Sequence, residues 1–352
     1  MVRRYVILSQ GHLRNGIAKT AHGLLRFRPN TVAAVLDTAD AGARVNEVLP
    51  SLESNAPIVA TLGEAMRYDP TSLLVGVANV GGQLPRAFRP AILEAIDQGL
   101  EIVSGLHEFL NDDSEFVARA ARSGAHLWDV REVPEDIPIF SGRAYDVSQH
   151  VVLAVGSDCA VGKMTAMLRI EEAALSSGAH AEFVATGQTG IIIAGRGIAV
   201  DRVVSDFVAG AAEKLVLEAS ADSDVLLVEG QGAILHPAYA SVTLGLMYGC
   251  APDALILCHR PGARSIDGFS TPIPDLPTLI HVHEDVLKHV KPARVVAVAL
   301  DTSKLDAAER ARTIADAERQ TGLPVDDPVL YGGDKLWSAI AAALEPCTAG
   351  PR

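Results

Sequence analysis

The sequence predicts an α/β protein of two domains, each a parallel sheet with helices on both faces. Three observations predict it. Short apolar runs alternate with helical patterns from residue 5 to residue 123, and a second alternation begins at Val151. Between them, residues 130–149 break the rhythm with Pro134, Pro138, Gly142 and many charges, which marks a boundary. Hydrophobic residues make up 49% of the chain but aromatics only 5%. Ala, Val, Leu and Gly dominate, as expected where parallel strands are covered on both faces. A chain of 352 residues is long enough for two ordinary domains, which we place at 1–140 and 148–346.

The elements follow in order. Tyr5-Val-Ile-Leu-Ser9 reads as a first strand, followed by a Gly-containing turn and a helix near 18–27. Further strands are expected at 32–37, 57–60, 72–77 and 101–104, with helical patterns near 62–68, 89–98 and 114–123. This is a Rossmann-like alternation. In the second domain, strands are expected at 151–155, 181–185, 225–229, 253–258 and 294–299, and helices near 163–177, 200–220 and 306–321. The stretch 260–280, rich in Pro, Gly and polar residues, reads as an irregular loop beside the active site. Residues 346–352 are expected to fray, and there is no internal repeat.

Charge and composition narrow the function. A net charge of −13 disfavours nucleic acid, whose phosphates need basic faces. No apolar stretch reaches the roughly 18 residues needed to span a membrane. The first apolar run is too short for a signal peptide. Cys159, Cys250, Cys258 and Cys347 show no metal-ligand spacing. A cytoplasmic protein with reduced thiols, no bound metal, and small-molecule rather than nucleic-acid or membrane partners is expected, as a homo-oligomer.

The most specific local signal is the segment from Val151 to Thr165. An apolar strand leads into Gly156-Ser157-Asp158-Cys159-Ala160-Val161-Gly162-Lys163-Met164-Thr165 and then a helix. Backbone N–H groups of such a loop converge at a helix N-terminus, where the dipole favours an anion, and Lys163 adds a point charge. Five residues separate the two glycines, rather than the four of the common phosphate-loop pattern. The residue after the lysine, usually Ser or Thr for Mg²⁺, is Met164, whose thioether is a poor ligand for a hard cation. Thr165 lies about 100° further round the helix. The loop therefore suits a phosphorylated ligand held without cleavage; the alternative is Mg²⁺ held by carboxylates alone.

This loop resembles the nucleotide loop of dethiobiotin synthetase and its P-loop relatives. Ala185-Thr-Gly-Gln188-Thr189-Gly190 and Val228-Glu229-Gly-Gln-Gly-Ala233 are similar to two further turns of that family, in the same order and at strand ends. In those relatives the glutamate binds metal. A second resemblance covers nearly the whole chain. It is carried by the loop, by Ala194-Gly-Arg196-Gly-Ile-Ala-Val-Asp201, Glu229-Gly-Gln-Gly-Ala-Ile-Leu-His236-Pro-Ala-Tyr239, Ala18-Lys-Thr-Ala-His-Gly23 and Ser104-Gly-Leu-His-Glu-Phe-Leu110. These resemble a two-domain bacterial family once of unknown function, often labelled NAD-dependent epimerase or dehydratase, that includes D-glutamate N-acetyltransferases. Met after the lysine is typical of it. The resemblance implies a Rossmann-like N-terminal domain, a P-loop C-terminal domain and an acetyl-CoA-dependent acyltransferase of D-amino-acid breakdown. The alternative is an ATP- and Mg²⁺-dependent ligase or kinase of the dethiobiotin synthetase type, with Glu229 and Asp158 on the metal.

Acetyl transfer to an amine needs a general base, donors for an oxyanion and partners for the substrate carboxylates. Glu229 and His236 are candidates for the base. Glu229 ends the apolar run 225–228, where partial desolvation would raise its pKa. It reads equally as a metal ligand or hydrogen-bond anchor, and His236, before Pro237, as a residue ordering its loop. Asp158 would repel a phosphate, so it should turn toward the loop backbone or a metal. Arg196, flanked by glycines, suits a substrate carboxylate or else a solvated turn. Gln188 and Thr189 can donate to a carboxylate or phosphate.

Leu300-Asp301-Thr302-Ser303 ends a late strand where P-loop folds read a base. In the first domain a Gly-x-Gly-x-x-Gly pattern is absent, although Asp37 stands where a dinucleotide-binding acid would. Lys19, His22, His107 and Glu108 are candidates for lining a cleft. His281 and His283, two apart, would share one face of a strand.

Overall fold

The structure, a computed structural model, describes residues 3–79, 81–219 and 221–344. The tail expected to fray and Cys347 lie outside these residues. The chain divides into two compact units: residues up to Glu132 together with Ile191–Gly195, and the remainder from Val133.

The first unit holds a six-stranded sheet of β1 (Tyr5–Leu8), β2 (Val32–Leu36), β3 (Ile58–Val59), β4 (Ser72–Val75), β5 (Glu101–Ser104) and β6 (Leu127–Asp129). All pairs are parallel, in the order β3-β2-β1-β4-β5-β6. That is the doubly wound order of dinucleotide folds, and the unit is Rossmann-like. Val6, Leu8, Leu73 and Val75 from the central strands pack with Phe88, Ile92 and Phe116 from the covering helices. The expected strands are present. The edge strand β6 was not anticipated, because three residues ending in Asp129 carry too little apolar pattern to read.

The second unit holds β7 (His150–Gly156), β8 (Ala181–Val184), β9 (Val225–Val228), β10 (Ala254–His259), β11 (Arg294–Leu300) and β12 (Val325–Asp326). The order is β12-β11-β10-β7-β9-β8, again all parallel. β7 lies at the centre and opens directly into the Lys163–Ser176 helix. Residues 141–144 are not a loose connection. The N–H and Oγ of Ser141 donate to Glu213 Oε2 at 2.7 and 2.9 Å, and the Ala144 N–H to Oε1 at 3.2 Å.

Three expectations need correction. The helix expected over 200–220 is two 3₁₀ turns, Val200–Arg202 and Ser205–Phe207, then a helix over Val208–Leu217; Val203 and Val204 between them are extended at the joints, as β-branched residues tolerate. The irregular stretch ends early. Asp275 accepts the Thr278 N–H at 2.9 Å and caps a helix over Leu276–Leu287. His281 and His283 are on that helix, about 200° apart rather than on one face. His281 pairs with Asp285 at the surface, while His283 is buried and donates Nδ1–H to the Leu279 carbonyl at 2.7 Å. The helices Gln188–Ala194, Ala240–Gly249, Pro328–Tyr331 and Asp334–Leu344 were not anticipated. Among the described residues no helix is long and apolar enough to cross a membrane.

Candidate active site

β7 ends at Gly156, the chain turns through residues 157–162, and the 14-residue helix starts at Lys163 with its N-terminus on the turn. A Cβ on Gly156 would lie 2.9 Å from Val161 Cγ2 and 3.0 Å from the Asp158 carbonyl, so only glycine lets the loop fold back this tightly. Ala160 and Gly162 take left-handed φ values of 47° and 92°. For Ala160 that conformation costs about 1–2 kcal/mol. Lys163 is buried, and its Nζ donates to the Asp158 carbonyl at 2.8 Å. Burial lowers its pKa, against the opposing pull of Cys258, Cys159, Asp158 and Glu229. Met164 and Thr165 are half-buried on the first helical turn.

Glu229 leaves β9 at the same sheet edge and is 4% exposed. Its Oε2 accepts the N–H groups of Thr186 and Gly187 at 3.0 and 2.9 Å, and the Thr186 hydroxyl donates to the Glu229 carbonyl at 2.7 Å. The glycine after Thr189 is required here, because a Cβ on Gly190 would overlap the carboxyl of Glu229. Burial pushes the Glu229 pKa up to about 7, with the two N–H groups and Lys163 pulling it back. Gln188 and Thr189 open the next helix directly after these amides. Thr186, Gln231 and Thr243 continue the network: Gln231 Nε2 approaches the Thr186 hydroxyl, and Thr243 donates to the Gln231 carbonyl at 2.8 Å.

The Asp158 carboxylate is taken up by backbone N–H groups, one of them within the loop itself. Its Oδ1 accepts the Cys159 N–H at 2.6 Å and its Oδ2 the Asp267 N–H at 2.8 Å. His236 Nε2 lies 4.0 Å from Asp158 Oδ1, and both side chains are at least nine-tenths buried. The Ala238 N–H donates to His236 Nδ1 at 3.1 Å. That bond assigns the lone pair to Nδ1 and the proton of the neutral ring to Nε2. His236 thus presents a donor toward Asp158, and does not accept a proton there. Asp158, Cys159 and His236 bring their oxygen, sulfur and nitrogen atoms within 4.8 Å of one another. In the neutral tautomer set by Ala238 the ring hydrogen lies on Nε2, so the imidazole presents a donor to this cluster. Tyr239 and Phe269 flank the ring, with centroids 4.6 and 5.2 Å away.

Three residues at this edge were not singled out from the sequence. His259, at the end of β10, places Nδ1 2.9 Å from Ser157 Oγ, and burial lowers its pKa to about 4, which keeps it neutral. Arg260 donates Nη2 to the Ala160 carbonyl at 2.7 Å and pairs with Asp301. Asp267, inside the stretch expected to be irregular, supplies the N–H that holds Asp158. For Arg260 a usable signal was its position just beyond the apolar run of β10, next to the central strand.

The remaining candidates lie elsewhere. Arg196 pairs with Glu182 and donates to the Glu218 carbonyl at 3.2 Å. Glu182 also accepts from Ser223, just before β9 begins, so Arg196 sits toward the strand starts, away from the phosphate loop. In the first unit, buried Asp37 accepts the N–H groups of Gly11, Leu13 and Ala39 at 2.9, 3.2 and 3.0 Å. His22 bonds the Leu13 carbonyl at 2.7 Å, and Lys19 is exposed. The N–H groups of His107 and Glu108 donate to the Gly82 carbonyl, and the Glu108 carboxylate accepts from Leu84.

Residues 138–337 match the family description "Domain of unknown function (DUF1611_C) P-loop domain", and residues 38–133 match "Domain of unknown function (DUF1611_N) Rossmann-like domain". A protein of Tritonibacter scottomollicae named D-glutamate N-acetyltransferase is 34% identical over 329 residues, covering 92% of this chain and 94% of its own. A protein of the same name from a Pseudoalteromonas species is 37% identical over 276 residues, covering 78% and 82%. The crystal structure of a DUF1611 family protein from Anabaena variabilis superposes with a TM-score of 0.91 at 35% identity, covering 97% of this chain and 99% of that one. With a Rossmann-like unit, a P-loop unit and relatives matching along nearly its whole length, the chain belongs to the DUF1611 family.

Proposed function

We propose that this protein is an N-acetyltransferase that moves an acetyl group from acetyl-CoA to the amine of D-glutamate, in the breakdown of D-amino acids. Support comes from the relatives of that name and from one observation above all: a buried carboxyl, Glu229, whose pKa of about 7 matches the working pH of a general base. In the reaction the acetyl group passes from sulfur to nitrogen. The amine loses a proton, which Glu229 takes, and the donor sulfur leaves as a thiolate that is then protonated from solvent. The loop amides and Lys163 supply positive potential to an anionic group of the donor. The donor set fits a phosphate held without a cation, since the half-buried Met164 stands where a hydroxyl would meet Mg²⁺.

A thiol-release assay with acetyl-CoA tests this. CoA should be released with D-glutamate, and more slowly with L-glutamate. Tight Mg²⁺-dependent ATP binding with none for CoA would sink the reading, as would a large gain in ATP turnover in Met164→Thr.

A further inference from the structure

We propose that His259 is a phosphate-binding residue, whose Nε2–H beside the loop 157–162 donates to a phosphoryl oxygen of the ligand held there. The inference rests on the reading of this loop as the phosphate site of the CoA ligand. It adds an uncharged side-chain donor on the β10 flank.

β10 pairs with β7 on the side away from β9, and Cys258 stands opposite Gly156. The next residue of β10 is therefore level with the first residue of the loop. Two consecutive residues at this strand end hold the loop from one side. The His259 ring meets Ser157 Oγ at 2.9 Å, and Arg260 meets the Ala160 carbonyl at 2.7 Å.

The contact with Ser157 decides where the ring carries its hydrogen. Ser157 is 1% exposed, and among the described residues its hydroxyl has no other partner. A buried hydroxyl hydrogen needs an acceptor, and Nδ1 is the one in reach. Ser157 thus donates, Nδ1 holds the lone pair, and the hydrogen of the neutral ring lies on Nε2. Nε2 is two bonds from Nδ1, so it too stays beside the loop. It has no partner among the described residues, and His259 is only half-buried, which leaves this N–H open to a ligand. The nearby Asp301 carboxylate is taken by Arg260 and Ser303. Burial holds the ring pKa down at about 4, so the donor stays uncharged in the neutral pH range.

Lys163 gives an independent sign of an anion at this loop. It is 7% exposed, and its ammonium donates to one acceptor, the Asp158 carbonyl, among the described residues. A buried ammonium has three hydrogens to place, and phosphoryl oxygens take the ones left over. An N–H on the flank of the same loop complements an oxygen acceptor and not an ammonium.

The test uses calorimetry on the whole protein, on His259→Asn and on His259→Gln, with CoA and inorganic pyrophosphate as probes. The amide of His259→Gln extends to the place of Nε2, whereas that of His259→Asn reaches only the place of Nδ1 and keeps the contact with Ser157. His259→Asn should weaken both probes about tenfold, through loss of one hydrogen bond to a charged group, while His259→Gln stays within about threefold of the wild type. Imidazole ¹H–¹⁵N spectra of the wild type should show His259 with its hydrogen on Nε2, and pyrophosphate should shift the Nε2 signal more than the Nδ1 signal. Native affinity in His259→Asn, or the reverse order with His259→Gln the weaker, would show that the ring only braces Ser157 and overturns the inference. A hydrogen on Nδ1, or pyrophosphate that binds without moving the Nε2 signal, overturns it as well, and these spectra decide the matter if neither variant folds. A wild type that binds neither probe also defeats it. A wild type that gives the expected pyrophosphate response but transfers no acetyl group defeats the transferase reading and leaves His259 in its place.

Discussion

Glu229 binds its proton more tightly than a carboxyl in water, because burial penalises its charge more than two N–H groups and Lys163 repay. Its folded pKa of about 7 lies above its ordinary value of 4.5, so the folded state holds the proton across that interval. Its contribution to stability is present below pH 4.5 and is lost as pH rises through 7. With Glu229 as the proposed base, activity should follow the opposite course. The rate limb should rise with pH through about 7, as the base ionises. Glu229→Gln should abolish that limb and cut kcat by about 10²–10⁴-fold, while melting at a higher temperature than the wild type at pH 8. A pH–rate profile paired with thermal melts checks both, and unchanged kcat would remove Glu229 from the mechanism. The residue was legible because it ends an apolar run in a Gly-rich motif. His259 was not, because nothing local distinguishes a histidine that ends a core strand from one that faces Ser157.

The phosphate loop depends on a second element for its shape. Arg260, one residue past β10, holds the carbonyl of left-handed Ala160 and is itself held by Asp301, whose Oδ1 accepts from the Ser303 hydroxyl at 2.6 Å. Arg260→Ala should weaken CoA binding about tenfold by calorimetry, through loss of one charged hydrogen bond. Ala160→Gly in the same background should recover part of it by removing the left-handed cost. An Arg260→Ala variant with native affinity would show that the loop keeps its shape unaided. The β1 turn in the first unit shows the same economy. Asp37, which stands where a dinucleotide fold reads ribose, is spent on three backbone N–H groups. Asp37→Ala should destabilise the protein by about 2–3 kcal/mol, because the buried Leu13 N–H loses its acceptor. Thermal unfolding measures this. NAD⁺ should leave the melting temperature of the wild type unchanged, and a rise would return Asp37 to a nucleotide site.

At the scale of the whole chain, the stretch 141–144 shows why a composition break is not a free linker. Glu213, 1% exposed, collects two N–H groups and a hydroxyl from it. Burial opposes ionisation there, but these donors outweigh it and hold the carboxyl below its ordinary 4.5. Its stabilising effect is therefore complete above pH 4.5 and is lost as pH falls through the lower, folded value. Glu213→Ala should cost about 2–4 kcal/mol, read by denaturant unfolding, and should flatten the acid limb of stability. An unchanged unfolding midpoint would show that 141–144 is held by other contacts. The sequence by itself determined two parallel α/β units, the phosphate loop and the Glu229 turn. Each of these is written in short-range pattern: apolar runs of strand length, glycines at tight turns, a lysine opening a helix. The tertiary structure alone decided what the polar side chains do. Ser157 meets His259 across 102 positions and Asp158 meets Asp267 across 109. Asp37 closes a turn 24 to 26 residues back, and Arg196 turns toward Glu182. Periodicity reports which face of an element is buried, but a hydrogen-bond partner is set by which strand ends the sheet brings side by side.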